Sequence, residues 1–249
     1  MRRLNFTPVK IVCHEGIYVA RDDLTVGGTK MRFIGQVFAG VEEVIYATPC
    51  EGGAQYALAT MAKHLGKRVT LFCAKRKVRH PRTEQALALG ANVIELSPGY
   101  LSQVQAAAAR YLEEYDGVAR LLPFGVRFPG AEEAIADAAD VTKVATGVDF
   151  DEVWCAAGSG LIARGLALSF PKAARYAVQV GHKLKPEDVA YAEIVEWSDP
   201  FKKTAPELPP FPSDPHYDAK AWLACRDFPF RRRGNKVLFW NVAAPAPGS

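Results

Sequence analysis

The stretch Val41-Glu-Glu-Val-Ile-Tyr-Ala47, running through Thr48-Pro-Cys-Glu-Gly-Gly53 into Ala54–Leu65, carries the reading of the fold. A short apolar run, a glycine turn and then apolar residues at helical spacing make a strand that hands over to a helix, which Gly66 stops. Arg68-Val-Thr-Leu-Phe-Cys73 is the next strand, Pro81–Leu89 a second helix ended by Gly90, and Asn92-Val-Ile-Glu-Leu96 a further strand. Residues 41–96 therefore read as two successive β-α-β passes, a Rossmann-like half with parallel strands.

The alternation extends outward in both directions. Val9–Cys13 and Ile17–Ala20 read as strands, Leu101–Glu114 as a helix, Ala119–Pro123 as a strand, and a helix ends near Lys143. Phe150–Ala156 is then a strand, Gly158-Ser159-Gly160 a tight turn and Leu161–Ser169 a helix, the order in which backbone N–H groups at a helix start meet a phosphate. After residue 196 six prolines between Pro200 and Pro215 interrupt regular structure. That stretch reads as an ordered wrap, closed by a strand at Val237–Val242 and a disordered tail. The expected organisation is a larger domain from 1–40 and 125–196, a smaller one from 41–124, and a Pro-rich wrap and tail from 197–249.

Composition narrows the class of protein. Of the 249 residues 49% are hydrophobic and 23% charged, ordinary for a globular chain. There is no apolar run of membrane-spanning length and no signal-like N-terminus, so the expected compartment is the cytoplasm, that of a host if the chain is viral. Five scattered cysteines without a C-x-x-C pair speak against a disulfide framework and a zinc site, so no metal is expected. A net charge of +4 is a weak pointer to an anionic ligand.

Gly27-Gly28-Thr29-Lys30, preceded by Arg21-Asp-Asp-Leu-Thr-Val26, presents one lysine after a glycine turn. Taken alone it reads as a solvated lysine. Desolvated, the same amine would suit Schiff-base chemistry, which needs a depressed pKa. Gly158-Ser159-Gly160 alone is equally a packing turn or an anion cup. His182, Tyr217 and Asp218 are polar groups at strand or loop ends. Lys75–Arg82 and Arg231–Lys236 are basic clusters that would suit the phosphates of DNA or form a solvated face.

Taken in order, these motifs resemble the aminocyclopropane carboxylate deaminase and D-cysteine desulfhydrase group. That group belongs to the tryptophan synthase β-like (fold type II) superfamily of pyridoxal 5′-phosphate (PLP) enzymes. The run Arg21–Lys30 is similar to the group's K-R-D-D-L-x-x-G-G-N-K-x-R stretch, Glu51–Thr70 to its cofactor-side turn and helix, and Ala86–Ile94 to the segment that follows. Leu122–Gly130 resembles its Pro-x-Gly-Gly loop and Ala156–Gly160 its phosphate cup, so the likeness covers roughly residues 10–180. It implies three-layer α/β architecture with Rossmann-like parallel sheets, Lys30 as the Schiff-base lysine, and a phosphate site at Gly158, Ser159 and Gly160. Gly52 and Gly53 would lie beside the cofactor, with Thr29, Glu51, Gln55, His182 and Tyr217 toward substrate.

Two substitutions and a truncation depart from the group. Glu51-Gly52-Gly53 stands where Ser-Asn-His or Ser-Asn-Gln is usual, Thr29 replaces an asparagine, and the C-terminal third is short and irregular. The group's partner for the pyridine nitrogen falls in that third and has no evident counterpart. The expected activity is a PLP-dependent lyase, deaminase or decarboxylase acting on an α-amino acid or an amino-acid group on a larger molecule, from a homodimer without membrane contact. Three alternatives stay open: a phage-type PLP decarboxylase or lyase acting on amino-acid-modified bases in DNA, with the basic clusters on phosphates; a phosphoribosyltransferase-like enzyme using the 158–160 turn; and a non-catalytic ligand-binding descendant.

Overall fold

The computed structural model describes residues 8–97, 100–230 and 232–244. In chain order the regular elements are β1 (Ile11–His14), β2 (Ile17–Arg21), β3 (Glu43–Ala47), α1 (Ala54–Leu65), β4 (Arg68–Ala74), α2 (Pro81–Ala88), β5 (Asn92–Leu96) and α3 (Leu101–Glu113). There follow β6 (Ala119–Leu122), α4 (Ala131–Thr146), β7 (Glu152–Ala157), α5 (Leu161–Ser169), β8 (Ala174–Gln179), β9 (Glu193–Glu196), α6 (Asp218–Arg226) and β10 (Val237–Asn241). Residues 33–128 form one compact unit, and residues 8–32 together with 129–244 form another.

The smaller unit holds a four-stranded sheet in the order β5-β4-β3-β6, with every neighbouring pair parallel. β3 is buried along its whole length, as expected of a parallel strand covered on both faces. Helix α3 packs Val104 and Ala108 against Ile45, Ala47 and Phe72 of the sheet.

The larger unit holds six strands in the order β1-β2-β10-β7-β8-β9. β1 and β2 are antiparallel, because His14 pairs with Ile17 across the two-residue loop Glu15-Gly16, whose positive φ angles of 52° and 77° make a tight hairpin turn. The other pairs are parallel. β10 enters between β2 and β7, so the last strand among the described residues is central in the sheet. Side chains alternate across this sheet. Ile17, Val19, Trp154, Ala156, Val178, Val237 and Phe239 pack with Ala219, Trp222 and Cys225 of α6. On the alternate face Tyr18 meets Phe150, which meets Phe170 at the end of α5.

The stretch after residue 196 differs from an outer wrap. It contributes α6 and β10, both within the core of the larger unit. α6 carries no amphipathic stripe because it is buried nearly all round, Lys220 included. The Lys220 ammonium donates to the Pro200 and Phe201 carbonyls at 3.0 and 3.2 Å. The tail beyond residue 244 and Arg231 of the second basic cluster lie outside the described residues.

Candidate functional site

Lys30 sits on a segment that is clamped from two sides. β2 ends at Arg21, and the chain passes through short 3₁₀ turns at Asp22–Leu24 and Gly28–Arg32. Two buried ion pairs brace them: Arg21 grips Asp23 through two nitrogens, both at 2.8 Å, and the Arg32 guanidinium reaches Asp22 at 2.6 Å. The conspicuous acidic pair of the motif is thus structural.

From the other side the end of β10 holds the segment. The Thr29 N–H donates to the Val242 carbonyl at 3.0 Å, and Trp240 Nε1 donates to the Thr29 hydroxyl at 3.1 Å. Gly28, at φ 70°, lies where a Cβ would come within 2.2 Å of the Val242 oxygen. Thr29 is fully buried with its hydroxyl accepting the Trp240 indole N–H, while Lys30 itself is partly buried. Thr29→Val, of the same shape but without an acceptor, orphans a buried indole N–H and is expected to lower stability by about 1–3 kcal/mol, measured by urea unfolding. Thr29→Ser should recover most of the loss.

Asp218, the first residue of α6, is the acidic group beside this lysine. Its carboxylate accepts from Val242 N at 3.2 Å and from Ala243 N at 3.1 Å, so Val242 links it to Thr29. Burial pushes the Asp218 carboxyl well above its ordinary value, and Asp214 pushes the same way. The two N–H groups and the charge of Lys30 pull it back. Tyr217 is fixed next to it: its hydroxyl donates to the Ala156 carbonyl at 3.2 Å and accepts from Gly158 N at 3.0 Å. Burial first, and then the Asp218 charge, raise this phenol, which stays protonated. The same causes push the buried Cys155 thiol up to about 12, which leaves it inert as a nucleophile.

The glycine turn follows β7 and leads into α5. Gly160 has φ 78°, and a Cβ there would come within 1.8 Å of the Asp188 carbonyl oxygen. Because Tyr217 occupies the Gly158 N–H, an anion at this turn would be met by later N–H groups, including those of the first turn of α5, which lack acceptors within the helix. Lys30 after β2, Val242 after β10, Gly158 after β7 and the exposed His182 after β8 all lie beyond carboxyl ends of parallel strands. This is where open α/β sheets bind ligands.

The remaining candidates belong to the smaller unit, beyond the carboxyl end of β3. Gln55 is buried, with its amide nitrogen on the Cys50 and Pro49 carbonyls at 2.7 and 3.2 Å and its oxygen accepting from Thr83 at 3.1 Å. It is a strut that shapes the turn, with no amide group left over for a substrate carboxylate. A Cβ on Gly52 would sit 2.6 Å from the Thr48 hydroxyl and 3.0 Å from the Pro49 carbonyl oxygen, so a neighbour would have to shift, whereas one on Gly53 would only touch Arg82 at 3.6 Å. Glu51 lies 3.4 Å from Arg76, which also donates to the Cys50 sulfur at 3.1 Å. Burial raises the Glu51 carboxyl, but the Cys50 thiol, a backbone N–H, Arg76 and His80 outweigh it, and its pKa lies below the ordinary value.

In the first basic cluster Arg76 and Arg79 are already matched to Glu51 and to Glu84 and Glu95. Among the described residues no group of three or more His, Cys, Asp or Glu could hold a metal ion, and no helix is long and apolar enough to cross a membrane.

A mostly parallel six-stranded sheet with a lysine segment after β2 and a glycine turn after β7, and a four-stranded parallel sheet built from the intervening chain, define the tryptophan synthase β-like fold, fold type II. No family model matches the chain, and no curated protein does. Among solved structures it is similar to an ACC deaminase homologue, with a TM-score of 0.76 and 20% identity over 91% of this chain and 84% of that one. It is similar also to the apo form of the Escherichia coli diaminopropionate ammonia lyase, with a TM-score of 0.73 and 16% identity over 98% and 84% of the two chains. A hydrogen sulfide-producing enzyme of Fusobacterium nucleatum gives a TM-score of 0.72 and 13% identity over 96% and 95%.

Asp218 is the residue whose place the sequence left open. Its only local signal is Asp214-Pro-His-Tyr-Asp218, a polar run in a Pro-rich stretch. Its proximity to Lys30 comes from the insertion of β10.

Proposed function

We propose that this chain is a PLP-dependent enzyme of the lyase type acting on an α-amino acid or an amino-acid group of a larger molecule. The observation that carries the reading is the convergence, within one unit, of Lys30, the buried Asp218 and the 158–160 turn beyond the carboxyl ends of β2, β10 and β7. The donor set fits the cofactor. Lys30 would hold the aldehyde carbon, and Gly160 with the first turn of α5 would meet the phosphate dianion. Asp218 suits a protonated ring nitrogen, because a carboxyl that burial drives toward its neutral form is re-ionised by an added cationic N–H.

Bound PLP supplies an electron sink for the pair left when a bond to the substrate α-carbon breaks. The Lys30 amine would be the base able to accept or return a proton at that carbon. Tyr217 orients the Gly158 peptide and keeps its own proton. The ionised Glu51 brings a negative charge to a turn that is neutral in the resembling group, which disfavours a free carboxylate close to it. Of the other readings, DNA contact draws less support, since Arg76 and Arg79 are already neutralised.

Incubation with PLP, reduction with borohydride and peptide mass spectrometry test the assignment. A pyridoxyl group is expected on Lys30 in the wild type and nowhere in Lys30→Ala. A wild-type protein that retains no pyridoxyl group would overturn the proposal.

A further inference from the structure

We propose that Arg164 is a positioning residue for the phosphate-binding turn, setting the direction in which the Gly160 N–H points; this rests on the cofactor reading above. Arg164 lies in the first turn of α5, and its side chain folds back over the turn that precedes the helix. One of its terminal nitrogens, Nη1, donates to two carbonyls, Asp188 at 2.7 Å and Ser159 at 3.4 Å. Nε donates to Glu132 of α4 at 2.5 Å, which fixes the plane of the guanidinium. The side chain is 14% exposed, so these bonds are largely shielded from competing water.

The consequence follows from peptide geometry. In a planar trans peptide the C=O and the following N–H point in opposite directions. A guanidinium that holds the Ser159 carbonyl on its own side therefore aims the Gly160 N–H away from itself. Without that hold, a glycine on one side of the bond leaves the peptide free to rotate.

The second acceptor acts on the same turn. The Asp188 oxygen that takes the 2.7 Å bond is the atom against which the bare α-carbon of Gly160 is packed. Asp188 is itself anchored, its carboxylate accepting from Lys185 N at 3.0 Å and its N–H donating to the Lys185 carbonyl at 3.0 Å. Arg164 thus joins the turn to the 3₁₀ segment Pro186–Val189 and to α4. A turn fixed in this way is preorganised for a dianion, and preorganisation is where affinity is gained.

The test compares PLP with pyridoxal, which lacks the phosphate, in the full-length protein. Wild type should prefer PLP strongly. Arg164→Met should weaken PLP binding by about tenfold while pyridoxal binding changes little, as expected for misaligned N–H groups on a charged acceptor. Arg164→Lys, which keeps the charge but not the fork, should resemble Arg164→Met rather than wild type. Should Arg164→Met fail to fold, Glu132→Gln loosens the guanidinium without removing it, and a smaller selective loss for PLP is expected.

Equal losses for PLP and pyridoxal in these variants would mark Arg164 as a general stabiliser and overturn the inference, leaving the cofactor reading intact. A wild-type protein without any preference for PLP would sink both.

Discussion

Gly160→Ala is expected to be among the most damaging single-atom additions to this protein, lowering its stability by about 4 kcal/mol and abolishing its preference for PLP over pyridoxal. Two physical effects combine. A φ of 78° strains any residue with a Cβ, and the new methyl would lie 1.8 Å from the Asp188 oxygen and 2.6 Å from its carbonyl carbon. Neither atom belongs to a flexible side chain, so the turn or the Pro186–Val189 segment must move. Gly147 provides the control, because its φ of 62° is similar but nothing lies within 4 Å of the position a Cβ would take. Gly147→Ala should lose only the conformational part, about 1 kcal/mol. If urea unfolding finds the two alanine variants equally stable, close backbone packing at Gly160 is refuted.

The second large effect is expected from Arg32→Met, two residues beyond the lysine. Asp22 has a side chain with no solvent exposure, and Arg32 is the partner that bonds both its oxygens. Removing the guanidinium leaves a buried carboxylate without its counter-charge, at a cost of about 3–5 kcal/mol. Combining Arg32→Met with Asp22→Asn removes the stranded charge along with its partner. The double variant should therefore be more stable than Arg32→Met alone by about 2 kcal/mol, and a double-mutant cycle reads that coupling. Simple additivity of the two substitutions would show that the pair does not act as a unit. Because Lys30 lies between these partners, PLP attachment should be weaker in Arg32→Met than in the double variant.

Much of this architecture is legible locally. The two β-α-β passes over residues 41–96 announce themselves through apolar periodicity and the glycines that end each helix, and all three strands and both helices fall where those patterns place them. The turn at 158–160 is equally local, a strand, two glycines and a helix. The lysine after Gly27-Gly28 is local too, although its importance rests on the ordered resemblance around it.

Other features carry no such signal. β9 has only four residues, and the Pro-rich stretch conceals a buried helix whose Lys220 reads as a solvated residue until the Pro200 and Phe201 carbonyls are brought over it. Gln55 and Thr29 look like substrate-facing polar groups, yet both make hydrogen bonds inside the fold. A side chain's chemistry is visible in sequence, but whether folding has already used that chemistry is not.

By itself, then, the sequence determined the α/β alternation and the strand, glycine turn and helix at 158–160, because strand and helix periods and the conformational freedom of glycine act over a few residues, whereas Lys30 is singled out only by the resemblance around it. The tertiary structure alone decided that β10 lies between β2 and β7. That insertion sets Trp240 on Thr29 across 211 positions of chain and brings Asp218 to Lys30. Contacts so distant in sequence depend on how the whole sheet closes, and no local pattern encodes them.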